Sequence, residues 1–206
     1  MNSVESAFVS DTRRRLGAAG FDLVEPFSAA SVAREVFPSA PPWTLFGRDD
    51  ALGLLIGNSR ALWDPFTAWA SAHPELAHPL DVYTETTVRE LTDSWNVSVW
   101  LGWGHVGVPS FLPLQRIAVA AGGASLGPGQ LVAHPTFGPW IALRAVLIID
   151  APPPLAADER ALPCVHCEAP CRGALEDALK AAPPQLAVER RSLLSPVQES
   201  YLRIRD

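Results

Sequence analysis

Apolar positions recur along this chain with two periods, one near 3.6 and one of two. Between residues 3 and 19, Val4, Phe8, Thr12, Leu16 and Ala19 fall at helical spacing, with Ser3 as a candidate N-cap and Gly20 as a stop. Phe21 to Val24 reads as a short strand, and residues 28–36 read as a helix that must end before Pro38. Ala51 to Gly57 is one continuous apolar run of strand length, the pattern of a central strand covered on both faces. Asn58-Ser59 then caps a helix over about residues 60–72, where Leu62, Phe66 and Trp69 form a core stripe. Leu80, Val82, Val88 and Leu91 predict a further helix over 80–92. Asn96 to Leu101 alternates and predicts a half-buried strand, running into Gly102-Trp103-Gly104-His105, either a turn with a packed indole or a cleft mouth. Leu112 to Gly123 opens with a proline suited to a helix start. It closes in small residues, Gly122 and Gly123 among them, that let a backbone or a flat ligand come close.

Residues 127–150 carry the most information. Leu131 to Ala133 predicts a short strand, Pro135 and Gly138-Pro139 force a turn, and Trp140 to Ile149 predicts a long strand interrupted by one charge, Arg144. An arginine there must emerge at an edge or face an anion in a cleft, because its charge persists at any accessible pH. His134, at the turn, is a second candidate polar handle. Beyond it, residues 173–181 read as helical, and the tail after Pro183-Pro184 as one more strand and helix.

Composition narrows the picture. With 206 residues and 48% hydrophobic content, the chain has enough apolar surface for one cored domain, with or without a tail. Its apolar runs fall short of the roughly 18 residues needed to span a bilayer. The opening Met1-Asn2-Ser3-Val4-Glu5 lacks a signal-peptide pattern, so the expected location is cytoplasmic, with no membrane partner. A net charge of -6 argues against nucleic acid as a partner, and Arg13-Arg14-Arg15 and Arg190-Arg191 read as solvated helical faces. Seven tryptophans against one methionine favour a rigid pocket.

The chain has no P-loop, no strand-linked G-x-G-x-x-G and no G-x-S-x-G elbow. Cys164, Cys167 and Cys171 form C-x2-C-x3-C, the back end of a ferredoxin-type cluster motif whose front cysteine would fall at Ala161 and whose proline would fall at Arg172. Three readings stay open for these residues: an iron-sulfur cluster, or zinc with His166 as a fourth ligand; a redox thiol set; or an inert remnant.

From about Pro113 to Leu175 the order of features resembles the epoxyqueuosine reductases: a small-residue helix end, the turn His134-Pro135-Thr136-Phe137-Gly138-Pro139-Trp140, a long strand, and a cysteine run leading into Gly173-Ala174-Leu175. The turn is still more similar to that of the CblC-type cobalamin-processing proteins, His-Pro-x-Phe-Gly-Gly-Trp followed by a strand with Ala-Ile-Arg, matched here by Ala142-Leu143-Arg144. Upstream, Leu54-Leu55-Ile56-Gly57-Asn58-Ser59 and Trp63-Asp64 also fit that family. Two positions depart from these patterns. Val119 stands where the CblC type has a histidine before Val-Ala-Gly, and the Asp-Tyr-His context of a queuosine reductase has no match.

The resemblance implies an α+β fold of the nitroreductase-like (flavin-reductase-like) kind, with a central, mostly antiparallel sheet flanked by helices. It divides the chain into a cobalamin-binding domain over 1–160 and a cysteine-containing segment with its tail over 161–206. It implies cobalamin held base-off, with its upper axial ligand removed by reductive decyanation or thiol-dependent dealkylation, and glutathione or reduced flavin as reductant. The corrinoid would rest on the backbone of Leu131, Val132, Ala133 and His134 and on the small residues Gly122, Gly123 and Gly138. Phe137 and Trp140 would serve as a wall, and Arg144 would hold a thiol cosubstrate. A redox partner or cobalamin-acceptor protein, and a monomeric or homodimeric state, are expected with it. A corrinoid carrier or redox adaptor without turnover, and a flavin-dependent reductase, are the alternatives.

Overall fold

The computed structural model describes residues 6–37, 39–127, 129, 131–154, 162–164, 167–168, 171–173 and 176–177. Five helices are described: α1 (Ala7–Ala18), α2 (Ala29–Val36), α3 (Trp63–Ser71), α4 (Pro79–Asp93) and α5 (Leu114–Ala120). The strands are β1 (Leu23–Ser28), β2 (Leu52–Asn58), β3 (Val99–Trp103), β4 (Ser125–Leu126), β5 (Val132–Ala133) and β6 (Ala142–Ile149). The four long strands form one antiparallel sheet in the order β1-β2-β6-β3, and β4 and β5 form a separate small hairpin. The α+β expectation, an antiparallel sheet flanked by helices, is met.

The continuous apolar run of β2 is buried at every position, as an interior strand covered on both faces requires. Burying Leu54, Leu55 and Ile56 contributes roughly 2 kcal/mol each. On one face, Leu54, Ile56, Ala145 and Leu147 pack with α1, α3 and α4 through Leu16, Phe66, Val88 and Leu91. On the other, Leu55, Val146 and Ile148 pack with α2 and α5 through Val32, Val36 and Ile117. The molecule is therefore helices, sheet, helices, with the small hairpin beside α5.

Local chemistry fixes the element ends. The Ser28 hydroxyl accepts from the Ser31 amide at the start of α2, and Asp50 accepts from the amides of Ala30 and Ala51. Ser59 caps the 3-10 turn Arg60–Leu62 that leads into α3, as the Asn58-Ser59 signal predicts. Two strands run beyond their expected limits. β1 continues through Pro26 because it is an edge strand, where a missing N–H costs no ladder bond. β3 is displaced toward Trp103, whose ring is buried and carries the Arg89 guanidinium 5.1 Å from its centroid, so the packed-indole reading holds there.

Gly20 ends α1 with φ +89, and a Cβ there would lie 2.5 Å from the Leu62 Cα. Backbone cannot yield as a side chain can. Gly20→Ala is expected to lose at least about 2 kcal/mol, from left-handed strain and displacement of the 3-10 turn, with unchanged m in urea unfolding as the check.

Candidate functional site

A cavity of about 770 Å3 opens on the α5 side of the sheet. Its walls come from the end of β3 (Gly104), the loop into α5 (Phe111 to Pro113), the first turn of α5, and Leu126, Leu131, Val132, Pro139, Ile141 and Leu143. Gln115 and Arg116 are its polar side chains; the rest is carbon-rich. Phe111 and Leu126 are exposed at its mouth, at 59% and 42%. A concave, largely apolar site with a few polar groups is what a large organic ligand requires.

Leu143 reaches this cavity because of a bulge. Ile56 pairs with Ala145 but Gly57 pairs with Leu143, so Arg144 is an extra residue on β6 and the facing of the strand reverses across it. Leu143 therefore joins the α5 face, whereas Ala145 and Leu147 belong to the other.

Arg144 leaves the large cavity to Leu143. Its Nε donates to the Asn58 Oδ1 at 2.7 Å, which gives the charge inside the strand an amide partner. Burial lowers the Arg144 pKa, and the charge of Asp81 on α4 opposes that shift. Asn58 belongs to a second cleft, about 680 Å3, together with Ser59, Arg60, Thr136, Phe137, Trp140 and Ala142. Ile141 lines both clefts. The expected corrinoid floor is thus divided. Leu131 and Val132 face the large cavity, while Phe137 and Trp140 face the second.

His134 is a brace in place of the exposed handle its turn position suggests. It is 7% exposed, its ring stacks on Phe137, and its Nε2 lies 3.3 Å from the Glu25 Oε1. Nδ1 accepts from the amides of Thr136 at 3.1 Å and Phe137 at 3.4 Å, so the hydrogen sits on Nε2 and is donated to the carboxylate. The backbone of His134 is also engaged, exchanging hydrogen bonds with Gly138, which holds φ +60 at the turn. Gly123 completes the brace: a Cβ there would lie 2.9 Å from the Glu25 Cγ, so its smallness serves the approach of Glu25. Gly122, at φ +72, makes the bend after α5.

Cys164 and Cys171 lie beside the hairpin. The Cys164 amide donates to the Ser125 Oγ at 3.2 Å. Cys164 and Cys171 share a small cavity of about 30 Å3 with Gly127, Gly129, Leu131, Ala133 and Pro139, while Cys167 is exposed. Among the described residues no three His, Cys, Asp or Glu side chains converge as a metal-ligand set, so the cluster and zinc readings gain no support from the geometry. Ala161, His166 and the tail after Pro183-Pro184 lie outside the described residues, as does most of the expected 161–206 unit. No described helix is long and apolar enough to cross a membrane.

Several site residues are not legible from sequence. Gln115, Arg116, Phe111 and Leu126 reach the cavity only through the α5 and hairpin arrangement. Glu25 does leave a trace, as the single charge in Leu23-Val24-Glu25-Pro26-Phe27, the same kind of signal that Arg144 gives in β6.

No family model matches this chain, and no curated protein matches it. Among solved structures it is similar to a B12-trafficking protein CblC from C. elegans, described as a human MMACHC homologue, with a TM-score of 0.57 and 20% identity, covering 83% of this chain and 79% of that one. The likeness establishes a shared fold, the one the CblC-type resemblance implies. The resemblance to epoxyqueuosine reductases has no counterpart among these findings.

Proposed function

We propose that this chain binds a cobalamin in the large cavity, with the lower base displaced, and removes or exchanges its upper axial ligand. One observation carries the reading. The Leu131–Leu143 segment that resembles the CblC type forms a wall of a concave, largely apolar site of about 770 Å3, in a fold shared with a protein described as B12-trafficking. The chemistry of the lining suits such a ligand. A corrin is a broad apolar disc fringed with amides, and Leu114, Leu126, Val132, Ile141 and Leu143 offer it carbon surface.

The amide fringe needs hydrogen bonds, and two sources are at hand. Gln115 and Arg116 stand at the start of α5. The backbone of Leu131 and Val132, which line the cavity, is the other source. The bound corrinoid supplies a cobalt whose reduction becomes easier once the lower base is gone. The protein would contribute the carbon-rich wall against which the ring lies. The second cleft, with Arg60 and the Asn58–Arg144 pair at its edge, is the position for an anionic thiol reductant.

Visible spectra of the full chain titrated with cyanocobalamin and methylcobalamin test this. The expected result is saturable binding with a shift of the main band to shorter wavelength, as loss of the lower base requires, followed by spectral conversion on adding glutathione or reduced flavin. Binding without conversion would reduce the role to carriage. Unchanged spectra would reject both.

A further inference from the structure

We propose that Cys164 and Cys171 form a dithiol that is reversibly oxidised to an intramolecular disulfide by low-molecular-weight disulfides of the glutathione class. The observation behind it is a shared lining: both half-buried residues border the same small cavity of about 30 Å3, room for little more than one water. They are held from different sides. Cys164 is anchored through its amide to Ser125 on β4, and a Cβ added at Gly127 would lie 3.8 Å from its Sγ, whereas Cys171 is in the helical residues 171–173. Cys167 lies outside this cavity and is exposed.

The order of events follows from electrostatics. Burial raises the Cys171 pKa, and the charges of Cys164 and Cys167 raise it further. Cys171 is therefore held back from the first attack, which we assign to Cys164, fixed by its amide on Ser125. The Cys164 thiolate bonds to one sulfur of the small disulfide; that S–S bond breaks and half of it leaves as thiolate. With Cys164 now neutral in the mixed disulfide, one cause of the raised Cys171 pKa is gone. Cys171 loses its proton to water and attacks the Cys164 sulfur, and the second half leaves as thiolate. Two electrons pass from the protein dithiol to the small disulfide. The pair shares Leu131 and Pro139 with the large cavity, so the reaction occurs at the back of that cavity's wall.

Trypsin cleavage after Arg160 and Arg172 releases one peptide, residues 161–172, that carries all three cysteines. Full-length protein equilibrated in buffers of graded reduced-to-oxidised glutathione ratio, acid-quenched and alkylated, is then mapped by mass spectrometry. Under oxidising conditions this peptide is expected to lose two hydrogens and to carry the alkyl group on Cys167 alone, with full recovery of three alkylated thiols after dithiothreitol. Cys167→Ser should leave that behaviour intact, and Cys171→Ser should stop at a glutathione adduct on Cys164. Three alkylated thiols at every ratio, a bridge that includes Cys167, or no trapped adduct in Cys171→Ser would overturn the proposal. No corrinoid enters the experiment, so its outcome is independent of the cofactor reading.

Discussion

His134→Ala is expected to destabilise the fold by roughly 3 kcal/mol, read as a lowered urea midpoint, with the pocket segment losing its order first. The imidazole does three things at once: it donates to the buried Glu25 carboxylate, accepts from two amides of its own turn, and stacks on Phe137. Truncation takes a donor from a carboxylate that is only 8% exposed and leaves the Thr136 and Phe137 amides to find other acceptors. Glu25→Gln is the matched control. It keeps an acceptor for Nε2 and removes the buried charge, so its cost should be well under half that of His134→Ala. Equal costs would mean that the turn, and not the pairing across 109 residues, carries the effect. Fast amide exchange confined to residues 131–140 in His134→Ala would mark the loss of the brace.

Leu126→Trp is expected to weaken cobalamin binding by at least about tenfold, or ~1.4 kcal/mol, while leaving thermal stability within experimental scatter. Leu126 pairs with Val132 across the small hairpin, and both line the large cavity. At 42% exposure it tolerates a larger ring without disturbing the core, which the more buried Val132 would not. The indole would occupy ligand volume at the mouth. Trp140→Ala in the second cleft is the companion: affinity for cobalamin should hold, since Trp140 does not line the large cavity. The reverse pattern, with Leu126→Trp silent and Trp140→Ala weak, would move the ligand to the second cleft.

The elements that sequence announces here are those specified by local physics. The all-apolar run of β2, the Asn58-Ser59 cap and the turn at Gly138 each act over a few residues, and each is found where its pattern puts it. β1 and β3 were harder to bound because a proline and a glycine pair read as strand breakers, and on edge strands they are not. The site was legible as a segment but not as an arrangement. His134 and Arg144 stand out as polar residues in apolar surroundings, yet their partners, Glu25 and Asn58, lie 109 and 86 residues away. No periodicity signals the bulge that turns Leu143 to the opposite face from Ala145, since an inserted residue looks like any other until its register is known.

That inserted residue has a consequence for how the protein can change. On either side of Arg144 the strand is read in a different frame. Residues 145–149 are committed to the two hydrophobic faces of the sheet, whereas Ile141 and Leu143 pack at the margin of the α5-side core and also line the clefts. Selection on ligand shape can rewrite the short stretch before the bulge without touching the alternation that holds β2 and β6 together. The arginine is thus a punctuation mark between a close-packed core and an adjustable wall, and its Asn58 tether keeps that boundary at a fixed place in the strand.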